Sequence, residues 1–186
     1  AYAFLIVAEW LLLGYVLSGL KRAGTPLGGI IGFRWRTVGG LIRLLAWSAG
    51  FWLVARFTLT GLKDLMSALH WTTAGEDWRT LALMAPRGGL EAAVWVALAL
   101  SAGFCEEVIF RGYLQRQSIA LVRSRVGGIL LTALLFGVAH GYQGVRSAVV
   151  ITVYGGLFGV LALLSRSLVP GMVAHAWQDA SVALLR

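Results

Sequence analysis

The chain has 186 residues, of which 59% are hydrophobic and 13% charged, and its mean hydropathy is +0.79. Soluble domains carry roughly a quarter charged residues and do not need apolar runs near the ~20 residues that cross a bilayer, which excludes an ordinary soluble protein. The net charge of +8 and pI near 10.6 do not indicate nucleic acid, because membrane proteins gather Lys and Arg in short cytoplasmic loops against anionic headgroups.

The expected fold is all-α: a polytopic transmembrane bundle of about six membrane helices, with residues 1–186 forming one integral membrane domain. The first helix covers about Ala1 to Leu20 and carries a lone Glu9. It has no basic leader and no convincing cleavage site, so it reads as a membrane helix and not a signal peptide. A basic stretch follows, with Lys21, Arg22, Arg34 and Arg36 around the Gly/Pro-rich turn AGTPLGGIIG. The second helix covers about Val38 to Leu62, and residues 63 to 88 form a loop of mixed charge. The DWRTLALMAP portion of that loop reads as a short interfacial helix. The third helix starts near Leu90 and continues to about Ala120, the fourth covers about Val126 to His140 and the fifth about Ser147 to Leu164. The sixth starts at Pro170, a good first-turn residue.

Loops 1, 3 and 5 carry Lys21, Arg22, Arg34 and Arg36, then Arg116, Arg123 and Arg125, then Arg166. The positive-inside rule places these loops in the cytoplasm and both termini outside. Gly155 and Gly159 in helix 5, and Gly28 and Gly32 in loop 1, have the small-xxx-small spacing of close helix packing. No internal repeat is visible.

Ionisable residues at membrane depth are costly and mark function. Three clusters qualify: Glu106-Glu107 with Arg111, Phe136 with His140, and His175 with Asp179. Glu107 and Arg111 are four apart, share a helix face and can pair, whereas Glu106 is rotated by about 100° and is freer to act as a base. A kink near Gly103 would exchange the two glutamates. His175 and Asp179 share a face in the same way, and Phe136 packs one turn below His140. Singly, each cluster could be structural. Jointly, two carboxylates, two histidines and an aspartate on three apolar helices are the groups that activate water.

The order EExxxR, FxxxH, HxxxN/D over about residues 100 to 180 resembles the signature of the CAAX-protease and bacteriocin-processing family of intramembrane proteases, which includes the type II CAAX prenyl endopeptidases. The resemblance implies a catalytic core over about residues 90–186 and an integral membrane protein of a bacterial or archaeal plasma membrane. It implies hydrolysis of a membrane-associated peptide or protein, reached from the cytoplasmic side. By similarity Glu106 and His140 activate water, His175 and Asp179 stabilise the oxyanion, and Glu107 and Arg111 support them. Many members have Asn where this chain has Asp179. An ionised Asp cannot donate to an oxyanion, so it must either be protonated or orient His175 by accepting its other N–H.

The cofactor is open. Glu106 or Glu107 with His140 and His175 would make a three-ligand set for a divalent metal such as zinc, but no HExxH is present and a metal-free glutamate mechanism fits equally. Cys105 is the only cysteine, which excludes an intrachain disulfide and a CxxC metal site. It points away from both glutamates and reads as a packing residue. Two other functions use the same groups: a transporter or ion and proton relay, and a non-catalytic membrane adaptor. Helix geometry also poses a difficulty. At about 1.5 Å per residue, Glu106 and His140 lie roughly 20 Å deep but His175 only about 9 Å, so convergence needs a tilt, a shifted boundary or a short final helix.

Overall fold

The computed structural model describes residues 2–32, 37–71 and 85–184, with side chains to residue 181. Among them the chain is a helical bundle without strands. Helix α1 spans Tyr2–Arg22, α2 Leu27–Ile31, α3 Val38–Ala68 and α4 Gly89–Glu106. A π-helical segment, Glu107–Leu114, joins α4 to α5, Gln115–Val122. Then come α6, Arg125–Ala139, a 3₁₀ turn at Gly141–Gln143, α7, Val145–Ser165, and α8, Val169–Leu184. The interfacial helix expected at 77–86 lies, but for Ala85 and Pro86, outside the described residues, as do Arg34 and Arg36.

Four of the expected membrane helices are long and apolar enough to cross a bilayer: Tyr2–Arg22, Val38–Ala68, Gly89–Val122 and Val145–Ser165. The other two, α6 and α8, have 15 and 16 residues and fall short of the ~20 that span hydrocarbon. The outside of the bundle is apolar: Phe4 and Phe57 are 74% and 75% exposed, with Leu100, Leu134 and Leu164 also outward. Such a surface is an aggregation hazard in water and matches lipid.

Local chemistry starts the helices. Thr37 Oγ1 accepts from Gly40 N at 3.1 Å and Ser124 Oγ from Gly127 N at 3.1 Å, each satisfying an orphan amide of the first turn. Glu91 Oε2 accepts from Arg87 N at 2.7 Å at the head of α4. Arg146 donates to Lys63 O and Ser67 Oγ, ties α7 to the end of α3 and satisfies one of its last carbonyls.

The Gly/Pro-rich stretch in loop 1 is more than a turn. Its five-residue helix α2 docks on the start of α8: Ile31 O accepts from Leu168 N at 2.9 Å and from Ser167 Oγ at 3.2 Å. Gly32 closes α2 with φ +65°, and a Cβ there would stand 2.6 Å from Arg166 O. So Gly32 serves a left-handed turn and a backbone approach, not the helix-packing pair with Gly28 that its spacing predicts; Gly28 has open space around it. Arg116 Nη2 donates to Ile30 O. The basic loops 1, 3 and 5 thus share one end of the bundle, as expected.

Gly155 and Gly159 do serve close packing. Arg111 Nη2 donates to Gly155 O at 3.2 Å and Gln115 Nε2 to Gly159 O at 3.1 Å. Two polar side chains one turn apart therefore meet two helix carbonyls one turn apart, which only a surface without side chains allows. The core has two parts. One joins Leu13, Val16 and Leu20 of α1 to Ile30, Cys105, Val108, Ile109 and Leu168. The other joins Phe51 and Ala55 of α3 to Tyr154, Phe158 and Leu161 of α7 and Ala174 of α8. The polar site lies between them.

Candidate active site

The π-helical segment begins at Glu107, directly after Glu106. Gln115 N bonds to Phe110 O, five residues back, a widening of the helix common at functional sites. The sequence does not announce it, because its composition is ordinary for a helix. Glu107 and Arg111 are its paired charges. Their side chains are 1% exposed, and Arg111 Nη1 lies 3.0 Å from Glu107 Oε1. The contact is an ion pair by distance with an angle too poor for a hydrogen bond at Nη1. The guanidinium also lies over the rings of Phe136 and Phe158, at 4.3 and 5.0 Å, where the ring faces attract it.

Glu107 has a second partner. Its Oε1 is 3.2 Å from His175 Nδ1. A carboxylate paired with arginine accepts, so Nδ1 carries the proton and donates it, which turns His175 Nε2 outward. Glu107 thus takes the Nδ1–H of His175, a contact that the sequence expectation, which gave His175 only Asp179 as an acceptor, does not include. Asp179 stands on the other side, its Oδ2 3.6 Å from Nε2. His175 is stacked on Phe158 at 5.0 Å.

His140 is held similarly. Its Nδ1 is 2.8 Å from Phe136 O, and a carbonyl only accepts, so Nδ1 donates and neutral His140 presents the Nε2 lone pair. Phe136 packs against the ring at 4.6 Å, as its spacing predicts. Glu106 lies between the two imidazoles, with Oε1 3.9 Å from His140 Nε2 and Oε2 3.7 Å from His175 Nε2. Separations just above direct hydrogen bonding leave room for contact through one water.

The depth difficulty is resolved with the boundary almost unmoved, at Val169 against the expected Pro170, by a short final helix of 16 residues. Helix α8 starts inside the bundle: Ser167 and Leu168 are only 3% and 4% exposed and Pro170 is fully buried, under the docked α2. Close crossing does the rest. A Cβ on Gly103 would stand 2.9 Å from Ala176 N and from Met172 O, so α4 and α8 meet backbone to backbone one turn before Glu106.

Glu106, His140, His175 and Asp179 line one cavity of about 490 Å³. Its other walls include Leu5, Glu9 and Leu12 of α1, Lys63 of α3 and Tyr142 and Gln143 beside the 3₁₀ turn. These are the helix halves facing loops 2 and 4 and the termini; no lining residue comes from the end that holds Ile31, Arg123 and Arg166. The described lining therefore lies toward the end of the bundle opposite the basic loops. Sequence reasoning also left Glu9 without a role. Its Oε2 accepts from Ser101 Oγ at 2.8 Å, and its only sequence signal is its isolation in an apolar run.

Two imidazole nitrogens and a carboxylate facing one cavity are the right donors for zinc. As they stand, no group of three His, Cys, Asp or Glu is gathered tightly enough to hold a metal ion among the described residues. Cys105 is fully buried in the core with Ser101 Oγ at 3.9 Å, consistent with packing.

Fold and cavity define a polytopic helical membrane protein with a buried carboxylate–imidazole site. The model of the type II CAAX prenyl endopeptidase Rce1-like family matches residues 88–181, just over half of the chain. The chain belongs to this family, which is one of membrane endopeptidases. The match begins at the head of α4 and includes Glu106, Glu107, Arg111, Phe136, His140, His175 and Asp179. No curated protein and no solved structure matches the chain.

Proposed function

We propose that the chain is an intramembrane endopeptidase in which Glu106 and His140 activate water against a peptide bond. The observation that carries this reading is the position of Glu106 between the outward Nε2 atoms of His140 and His175, at 3.9 and 3.7 Å. The catalytic core spans about residues 90–186 within a single membrane domain 1–186. The substrate is a membrane-associated peptide or protein tail.

A water between Glu106 and His140 donates one hydrogen to each. As its oxygen attacks the carbonyl carbon, one proton moves to Glu106, and the second hydrogen stays on that oxygen and is donated in a hydrogen bond to His140 Nε2. The new C–O bond leaves an oxyanion. With Nδ1–H donated to Glu107, a second proton on His175 Nε2 makes that ring a donor to it. Asp179, an acceptor when ionised, holds that Nε2 proton in place and does not itself donate. Collapse of the intermediate breaks the C–N bond, and the proton on Glu106 passes to the leaving amine. Glu107 and Arg111 keep His175 aimed.

Reconstitution in liposomes with a peptide whose scissile bond lies in an apolar segment tests the function. Cleavage by the wild type, unchanged by a chelator and accompanied by no ion or proton flux, is expected. Flux without cleavage would replace the hydrolase with an ion relay.

A further inference from the structure

Glu9 comes from α1, outside the segment 88–181 that matches the family. It is nevertheless built into the site. Two ring contacts fix α1 on α4 on either side of it: Tyr2 with Trp95 at 5.4 Å and Trp10 with Phe104 at 5.9 Å. Between them Ser101 Oγ donates to Glu9 Oε2 at 2.8 Å, so the carboxylate has a set position on the cavity wall. Leu5, Leu12, Leu98 and Ala102 line the cavity around it.

His175, doubly protonated in the mechanism above, serves Glu106 and Asp179 at 3.7 and 3.6 Å, and leaves Glu9 without a cation of its own. Glu107 is matched by Arg111. Glu9, Glu106 and Asp179 line the cavity, and the only Lys or Arg that joins them among the described residues is the exposed Lys63. No Lys or Arg of the described residues stands within ion-pair distance of Glu9. A carboxylate kept in an apolar membrane helix, fixed by a serine and lacking a cation, is costly unless a cation arrives with the ligand.

We propose that Glu9 is the specificity-determining carboxylate of this cavity: it receives a cationic group of the substrate, a protonated amine or a guanidinium. The inference rests on the endopeptidase reading and names the substrate class for that site. Glu106 does the chemistry and Glu9 positions the peptide. The cation can come from a Lys or Arg side chain or from a free peptide amino terminus.

The test compares four peptides on the full chain in liposomes: one with Lys near the scissile bond, its norleucine counterpart, and each with free or acetylated amino terminus. In the wild type a cationic peptide is cleaved with kcat/KM at least about tenfold above the acetylated norleucine peptide, the effect of one modest ion pair. Glu9→Gln keeps the Ser101 hydrogen bond and removes the charge. It abolishes the preference through KM, so that the cationic peptides are cleaved no better than the acetylated norleucine peptide by the same variant. Whichever cationic peptide loses its advantage identifies the side chain or the terminus as the group bound. Glu9→Lys turns the preference toward a Glu-bearing peptide. A wild-type preference that persists in Glu9→Gln, or equal cleavage of all four peptides by the wild type, overturns the inference while the endopeptidase reading stands. Failure of the wild type to cleave any of them overturns that reading instead.

Discussion

Removing Arg111 alone should destabilise the protein far more than removing the whole Glu107–Arg111 pair. Both side chains are 1% exposed and their charges lie 3.0 Å apart. At an effective dielectric near 20, unit charges at that distance attract by about 5 kcal/mol. Arg111→Met leaves Glu107 buried without a counter-charge, which costs about 3–5 kcal/mol. The double variant Glu107→Leu/Arg111→Met substitutes apolar groups of similar size and should recover to within about 1 kcal/mol of the wild type. It should not recover activity. His175 Nδ1 has lost the acceptor at 3.2 Å, and losing such an orienting partner costs about 10–100-fold. Stability is read by reversible unfolding in bicelles and activity by peptide cleavage in liposomes. A single variant destabilised by less than about 1 kcal/mol would refute the buried pair. A double variant with full activity would refute the claim that Glu107 aims His175.

Gly103→Ala places a methyl group 2.9 Å from Ala176 N and Met172 O, so α8 must move away. Overpacking of this kind costs about 1–3 kcal/mol, and displacing His175 by a fraction of an ångström should lower kcat by up to about 100-fold; a fully active Gly103→Ala would show that α4 and α8 need not touch there. Cys105→Ala should cost about 1 kcal/mol from the small void it leaves in the core and keep full kcat. Loss of cleavage in that variant would make the thiol a participant. Single cysteines introduced into Cys105→Ala at Ser124 and at Gln143 report sidedness in whole cells. The positive-inside rule predicts that the Gln143 site is labelled by an impermeant thiol reagent and the Ser124 site only after permeabilisation. The reverse pattern would put the cavity mouth in the cytoplasm.

Elements that depend on nearest neighbours along the chain were legible in the sequence. Apolar runs gave the membrane helices within two residues of their described ends, except that α3 continues past the expected Leu62 to Ala68, through the first residues of the expected loop; four-residue spacing gave the Glu107–Arg111 pair and the shared face of His175 and Asp179. Glu106 was correctly separated from Glu107, because one step around a helix turns a side chain by about 100°. Features that depend on partners distant in sequence were not legible. The docking of α2 on Ser167 and Leu168 joins residues 136 apart, and without it the start of α8 was placed at the bundle surface. The hydrogen bond of Glu9 to Ser101 spans 92 residues. The π-helical segment is invisible for another reason: it arises where tertiary contacts on Arg111 and Gln115 widen a helix of ordinary composition.

Cleavage of a membrane-presented peptide by wild type and by Glu106→Gln, compared in the same liposomes, tests the central claim most directly. The amide keeps the size and polarity of Glu106 but cannot take a proton from water. The unfolding transition should be unchanged and kcat should fall by about 100- to 10,000-fold, the range for loss of a general base. Wild-type turnover by Glu106→Gln would contradict that claim.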